Sequence, residues 1–195
     1  IINSYNSKIM FIPSPNNPTG NCFSESHIEM IIKKFNGLVV LDEAYVEFSE
    51  DKSFLPRIEE FKNLVITQTF SKAQGMAGIR LGMTFANEEI IEMLNKIRAP
   101  YNINSLTQRT ALLKLKNQEE VKKEAKIILR EKDRLIGHLK EFNFIQKVFP
   151  SDANFILIRV DNSSKRYNQL IEMNIVVRNT SCLLYTSPSP RDGRE

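Results

Sequence analysis

Three short apolar runs constrain this chain more than any other feature. "KIMFIP" (residues 8–13), "GLVVLDEAY" (37–45) and "NLVITQTFSK" (63–72) each pass from apolar residues straight into polar ones. Between the first two lies Ser24 to Phe35, with Ile28, Ile31, Ile32 and Phe35 at helical spacing. Short, nearly continuous apolar strands alternating with helical stretches predict an α/β fold built on a mostly parallel sheet. "GIRLGMTFA" predicts one more strand. Ligands of such sheets gather at the carboxyl ends of the strands. That is where Asn16–Asn17, Asp42–Tyr45 and Ser71–Lys72 fall.

Beyond these strands the pattern changes. Glu88 to Ile97 reads as a helix, and "APYNINS" interrupts it with proline and asparagine. From Gln118 to Phe142 apolar residues recur at Val121, Ala125, Ile128, Leu135, Leu139 and Phe142, a long amphipathic helix. "FNFIQKVFPSDANFILIRV" predicts two strands around a Pro-Ser-Asp turn, and "NIVVR" a further short strand. A change near Pro100 therefore separates residues 1–100, part of a large domain, from residues 101–180, a connecting helix with a smaller α+β unit. Residues 181–195 crowd serine and proline without periodicity and read as a disordered or non-native tail. The chain opens on Ile1 instead of methionine and reads as a fragment.

Several function classes fall away. The 27 basic against 23 acidic residues leave a charge of +4, with lysines interleaved among glutamates. A nucleic-acid face would need a concentrated basic stripe, so no nucleic-acid partner is expected. No apolar run approaches the ~20 residues of a membrane helix, so no membrane partner is expected either. Cys22 and Cys182 stand far apart, which suits a reducing cytoplasm. Asp42, Glu43, Glu47 and Glu50 lack companion ligands at metal spacing, and no metal is expected. His27 and His138 fall among charged residues in helical patterns and read as solvated.

Taken singly, Lys72 reads as a surface lysine, Asp42 as a cap or turn residue, and Tyr45 beside Phe48 as core. Arg80, in an apolar run, reads as a structural ion-pair partner. Together with Asn17 they deliver an amide, a carboxylate, a phenol, an amine and a guanidinium to one rim. That inventory suits pyridoxal phosphate. An amine forms a Schiff base with the aldehyde, and a carboxylate keeps the pyridine nitrogen protonated. An amide and a phenol can donate to the ring oxygen, while hydroxyls and an arginine can hold the phosphate.

"NNPTG", "LDEAYVEF", "TFSKAQGMAGIRLG", "PYNINSLTQ", "DANFIL" and "VVRN" resemble the successive signatures of the histidinol-phosphate aminotransferases, fold-type-I pyridoxal-phosphate enzymes. The resemblance spans roughly residues 8 to 180. It implies that Lys72 is the Schiff-base lysine, that Asp42 holds the pyridine nitrogen, and that Tyr45 and Asn17 hold the phenolic oxygen. Thr69, Ser71 and Arg80 would bind the cofactor phosphate, and Asn154 and Arg178 would face the substrate. It also implies a partial, mixed and mostly parallel sheet followed by a smaller α+β domain, and a homodimer that exchanges nitrogen between histidinol phosphate and 2-oxoglutarate. Threonine-phosphate decarboxylases carry similar stretches, so a related lyase is one alternative, and a catalytically inert fragment of the aminotransferase is another. The phosphate loop, the aromatic that stacks on the pyridine and the arginine that takes a substrate carboxylate have no counterpart in residues 1–195.

Overall fold

The computed structural model describes residues 6–49 and 53–181; Glu50, Cys182 and the tail from 182 onward lie outside the described residues. Strand β1 (Ile9–Pro13) is followed by helix α1 (Glu25–Lys34) and strand β2 (Leu38–Asp42). Two turns of tighter helix, Val46–Phe48 and Leu55–Glu60, lead to β3 (Leu64–Thr69), and a third, Ala77–Ile79, precedes β4 (Gly82–Ala86). The sheet runs β1-β2-β3-β4, with the first three strands parallel and β4 antiparallel to β3. The parallel part is what the apolar runs predict, and the antiparallel β4 makes the sheet mixed, as the resemblance implies.

Register sets the rim. Pro13 lies beside Asp42 and Asp42 beside Thr67, so β1 and β2 finish level while β3 runs two residues further, to Thr69. Ser14 N–H donates to the Asp42 carbonyl at 3.0 Å, and Glu43 N–H to the Thr67 carbonyl at 2.8 Å, extending both ladders one residue beyond the strands. The core under the sheet joins Ile12, Val39, Leu41, Leu64 and Ile66 to Ile28 and Ile32 of α1 and to Phe35, Phe54 and Phe61. Fully burying an aliphatic side chain of this kind is worth about 1.5–3 kcal/mol, so α1 is held by its stripe and not by its propensity.

Arg57 fastens the Leu55–Glu60 turn to α1. Its guanidinium bonds Glu25 at 2.7 Å, Glu29 at 3.0 Å and Glu60 at 2.7 Å, and lies over the rings of Phe54 and Phe61. Hydrogen bonds from Lys33 and then from Arg57 hold the Glu29 carboxyl below its ordinary range; Arg57 does the same for Glu60.

The second half carries α2 (Glu88–Ile97), α3 (Ser105–Leu115), α4 (Gln118–Leu139), the antiparallel pair β5 (Ile145–Val148) and β6 (Ile158–Val160), and α5 (Ser163–Glu172). Asn87, Asn104 and Asn162 cap α2, α3 and α5, each accepting the backbone N–H three residues on. Helices α3 and α5 are additions to the pattern anticipated above. In α3, Leu106, Leu112, Leu113 and Leu115 are all exposed and only Ala111 is buried, so no single apolar stripe marks it. Helix α5 is predominantly polar and buries none of its residues. "NIVVR" is a correction in the other direction: residues 174–178 form no strand, and Val176, Val177 and Arg178 are exposed. Its β-branched residues pair with no strand among the described residues, and propensity without a partner makes no strand. In α4, Val121 and Ala125 are buried, while Ile128 and Leu135 remain exposed. No helix of the described residues is long and apolar enough to cross a membrane.

Candidate active site

At the end of β1 the chain turns through Asn16–Asn21. The turn is closed by Gly20 N–H to the Asn16 carbonyl at 2.6 Å and by Asn16 N–H to the Asn21 carbonyl at 2.9 Å. Asn16 is consumed internally, its amide donating to the Thr19 hydroxyl. Asn17 points outward from the same turn and donates from Nδ2 to the Tyr45 hydroxyl at 2.9 Å. The two prolines and the glycine therefore shape a turn that presents one amide and keeps the other for itself.

At the end of β2, Asp42 and Glu43 have opposite fates. Glu43 points inward and is 2% exposed. Its oxygens take the Phe54 N–H at 2.8 Å, the Gln68 amide at 2.9 Å and the Ser53 hydroxyl. A buried carboxylate without a cation is tolerable when neutral donors saturate it, and here they bind the 53–54 segment to β3. Asp42 is half-buried at the rim. Its Oδ1 takes the Ala44 N–H at 3.1 Å and the Thr67 hydroxyl at 3.2 Å. Among the described residues Oδ2 takes no hydrogen bond and no cation pairs with the group. The sequence-adjacent acids thus separate into one structural carboxylate and one with an open oxygen.

The end of β3 supplies the cation. Phe70 is buried and its N–H donates to the Leu81 carbonyl at 3.1 Å, closing the loop between β3 and β4. Lys72 heads a turn within that loop, its carbonyl accepting Gly75 N–H at 2.9 Å. Its Nζ sits 5.0 Å from the centre of the Tyr45 ring, and among the described residues it makes no hydrogen bond and no ion pair. Thr69 Oγ1 accepts Ser71 N–H at 3.1 Å and lies 3.4 Å from the Leu81 carbonyl, so both hydroxyl residues stand at the same corner. Arg80 is exposed and takes the left-handed conformation (φ 53°), with one guanidinium nitrogen on the Ala77 carbonyl at 2.9 Å. The ion pair that its apolar surroundings suggested is not among the described salt bridges.

What joins these strand ends is a second cluster: Tyr45, Phe48 and Ala73 from the sheet side, Val121 and Ala125 from α4, and Ala153 from the turn between β5 and β6, with Phe155 against them. The Phe155 ring meets Tyr45 edge-on, centroids 5.2 Å apart and planes at 80°. Gln74, buried beside the lysine turn, faces Gln118 at the start of α4 through their side-chain amides. Lys132 of α4 donates to the carbonyls of Ser151 at 2.6 Å and Ala153 at 2.9 Å. Asn154 is thereby carried to the edge of the Tyr45 cluster, half-buried, between two residues that pack in it. None of Phe155, Gln74 or Lys132 is singled out by the sequence pattern. "DANFIL" carried the signal for Phe155, but a phenylalanine beside a strand reads as ordinary core.

Arg178 is the outlier. It lines a separate cleft of about 470 Å³ with Phe149, Arg159, Asp161, Arg166 and Tyr167, none of them a rim residue. His27 and His138 are exposed on α1 and α4; His27 Nδ1 lies 2.7 Å from the Ser24 hydroxyl.

The model of the aminotransferase class I and II family matches residues 2–194. The chain is 52% identical over 188 residues to the histidinol-phosphate aminotransferase of Flavobacterium johnsoniae, covering 93% of this chain and 54% of that protein. Its structure is similar to that of the histidinol-phosphate aminotransferase from Clostridium acetobutylicum, with a TM-score of 0.86 and 30% identity over 92% of this chain and 56% of the other. The enzyme of Sinorhizobium meliloti, solved in complex with pyridoxal-5'-phosphate, matches with a TM-score of 0.80 and 26% identity, covering 89% of this chain and 49% of that one. The chain spans about half the length of the curated relatives it matches.

Proposed function

The chain belongs to the class I and II aminotransferases, and from that premise we propose that it is part of a pyridoxal-phosphate-dependent enzyme that moves an amino group between histidinol phosphate and the 2-oxoglutarate/glutamate pair. One observation carries the reading. The Lys72 amine, uncommitted among the described residues, stands over the ring of Tyr45, whose hydroxyl takes the Asn17 amide. The names of the relatives support the substrate class.

The donor set fits the cofactor. Asp42 has an open oxygen for a protonated pyridine nitrogen. Asn17 and Tyr45 offer an amide and a phenol to the ring oxygen, and Thr69, Ser71 and Arg80 offer two hydroxyls and a guanidinium to a phosphate. When bound, pyridoxal phosphate supplies an electron sink for the pair left behind as a substrate α-proton departs. Lys72 Nζ would hold the aldehyde carbon and, as a free amine, would take the substrate α-proton and deliver it to that former aldehyde carbon, across the nitrogen between them. Tyr45 would keep that amine oriented from below, through its ring, while its hydroxyl stays fixed by Asn17. Asn154 is assigned to the substrate side through its place beside the Tyr45 cluster, and Arg178, which lines a separate cleft, through the resemblance of "VVRN" alone. We read residues 1–100 as part of the cofactor-binding domain and 101–180 as connecting helix and smaller domain, in a full-length cytoplasmic homodimer.

The test is direct. The chain is mixed with pyridoxal phosphate, its visible absorption recorded, the mixture reduced with borohydride and the modified lysine mapped by mass spectrometry. Modification confined to Lys72 and abolished by Lys72→Ala is the expected outcome. Label scattered over many lysines and unchanged in the variant would sink the reading for this chain.

A further inference from the structure

We propose that Asp152 is a positioning residue: its carboxylate and its backbone clasp the Asn16–Asn21 turn to the turn between β5 and β6, and so hold Asn17 on Tyr45. The importance of that pair rests on the functional reading above. The clasp has two points. Asp152 N–H donates to the Gly20 carbonyl at 2.7 Å, and Asp152 Oδ2 accepts the Cys22 N–H at 2.7 Å, linking segments 130 residues apart in sequence. A hydrogen bond to a charged acceptor is among the stronger kinds, and here it lies beside a second one on the same residue.

Gly20 makes the approach possible. Its φ of +82° favours glycine, and a Cβ built there would come within 2.6 Å of the Ser151 hydroxyl oxygen. The other side of the clasp is rigid. Ser151 Oγ donates to the Phe155 carbonyl at 2.6 Å and accepts Ala153 N–H at 3.2 Å, while Lys132 of α4 bonds the Ser151 and Ala153 carbonyls. Helix α4 in turn packs Val121 and Ala125 in the cluster that contains Tyr45 and Ala153. The Asn17 turn is therefore pressed from one side by a turn that Tyr45 already touches through Phe155. Tyr45 sits in a packed cluster, whereas Asn17 is the exposed residue of its turn and needs an external brace. Asp152 supplies it. Because Asp152 is exposed, its removal disturbs the turn without opening the core.

Asp152→Ala and Asp152→Asn in the full chain test this by peptide-resolved hydrogen exchange, thermal melting and pyridoxal phosphate titration. Losing one hydrogen bond to a charged group predicts about tenfold faster exchange in residues 16–23 of Asp152→Ala, with a similar loss of cofactor affinity. Exchange in β2 and β3 stays at the wild-type rate, and Asp152→Asn, which keeps an acceptor oxygen for Cys22 N–H, recovers most of the loss. Wild-type exchange in residues 16–23 of Asp152→Ala overturns the clasp. So does acceleration spread evenly over the sheet, which would make Asp152 a general stability residue. A loosened turn with undiminished affinity overturns the positioning role. The functional reading fails separately, by the absence of Lys72 modification in the unmutated chain, and the exchange result still decides whether the clasp holds the turn.

Discussion

The four-stranded sheet and the β5–β6–α5 unit both combine strands with a helix but are held very differently. β2 and β3 bury Val39, Leu41, Leu64 and Ile66 almost completely, with α1 and the Arg57 turn closing over them. β5, β6 and α5 bury no residue completely, and the unit relies on a cap at Asn162 and the Asp161–Arg166 pair. The rim residues Asp42, Thr69 and Lys72 stand on or directly after the packed strands. Arg178 belongs to the lightly packed unit. Precise placement of reacting groups needs side chains locked by packing, so the sheet is where the chemistry of this chain is expected to reside.

The sharpest way to break the contrast is in the two cores. Ile66→Ala, which empties a site with no solvent exposure, is expected to lower stability by about 2–5 kcal/mol in urea denaturation. Ile171→Ala, at an exposed position of α5, should stay within about 0.5 kcal/mol. Equal losses would mean the two regions are packed alike. Next comes the seam between them. Ala125→Leu overfills the cluster of Tyr45, Ala73 and Ala153 and is expected to cost about 1–3 kcal/mol. It should also weaken Lys72 modification by pyridoxal phosphate, whereas a change at Ile128, exposed on the same helix, leaves that modification intact. Tyr45→Phe is smaller: it keeps the ring under Lys72 and removes only the acceptor of Asn17, worth about 1 kcal/mol. Stability that falls further would show that the Tyr45 hydroxyl does more than meet Asn17.

The smallest effects are surface charges titrated by acid. Glu60 is depressed by Arg57, so the stability from that contact is fully present above the ordinary value of 4.5 and is lost as pH falls through the lower folded value. Asp161, held at about 2 chiefly by the Arg166 guanidinium, keeps its contribution until pH falls toward that value. Urea denaturation at stepped pH should therefore show stability falling as acid is added below 4.5, and Arg57→Gln should flatten part of that loss. Both groups are solvent-exposed and their effects are modest.

Much of this architecture was legible in the residues. Apolar runs of three to five, each ending in polar residues, place Asn17, Asp42 and Lys72 at the carboxyl ends of adjacent parallel strands, because short runs with both faces apolar, separated by a helical stretch, have few other solutions. Helix α4 was equally plain from its stripe. Helices α3 and α5 were not, since α3 has no single apolar face and α5 is short with few apolar residues, and "NIVVR" promised a strand but pairs with none among the described residues.

The sequence by itself determined which side chains could meet at the rim: local periodicity and turn chemistry decide strand ends within a few residues. Only the tertiary structure decided which acid of the Asp42–Glu43 pair turns outward, what braces Tyr45 from the far side, and that Asp152 reaches Cys22. Those outcomes depend on contacts between segments tens to more than a hundred residues apart. Their formation requires loop closure and simultaneous packing of several elements, and no local pattern records that.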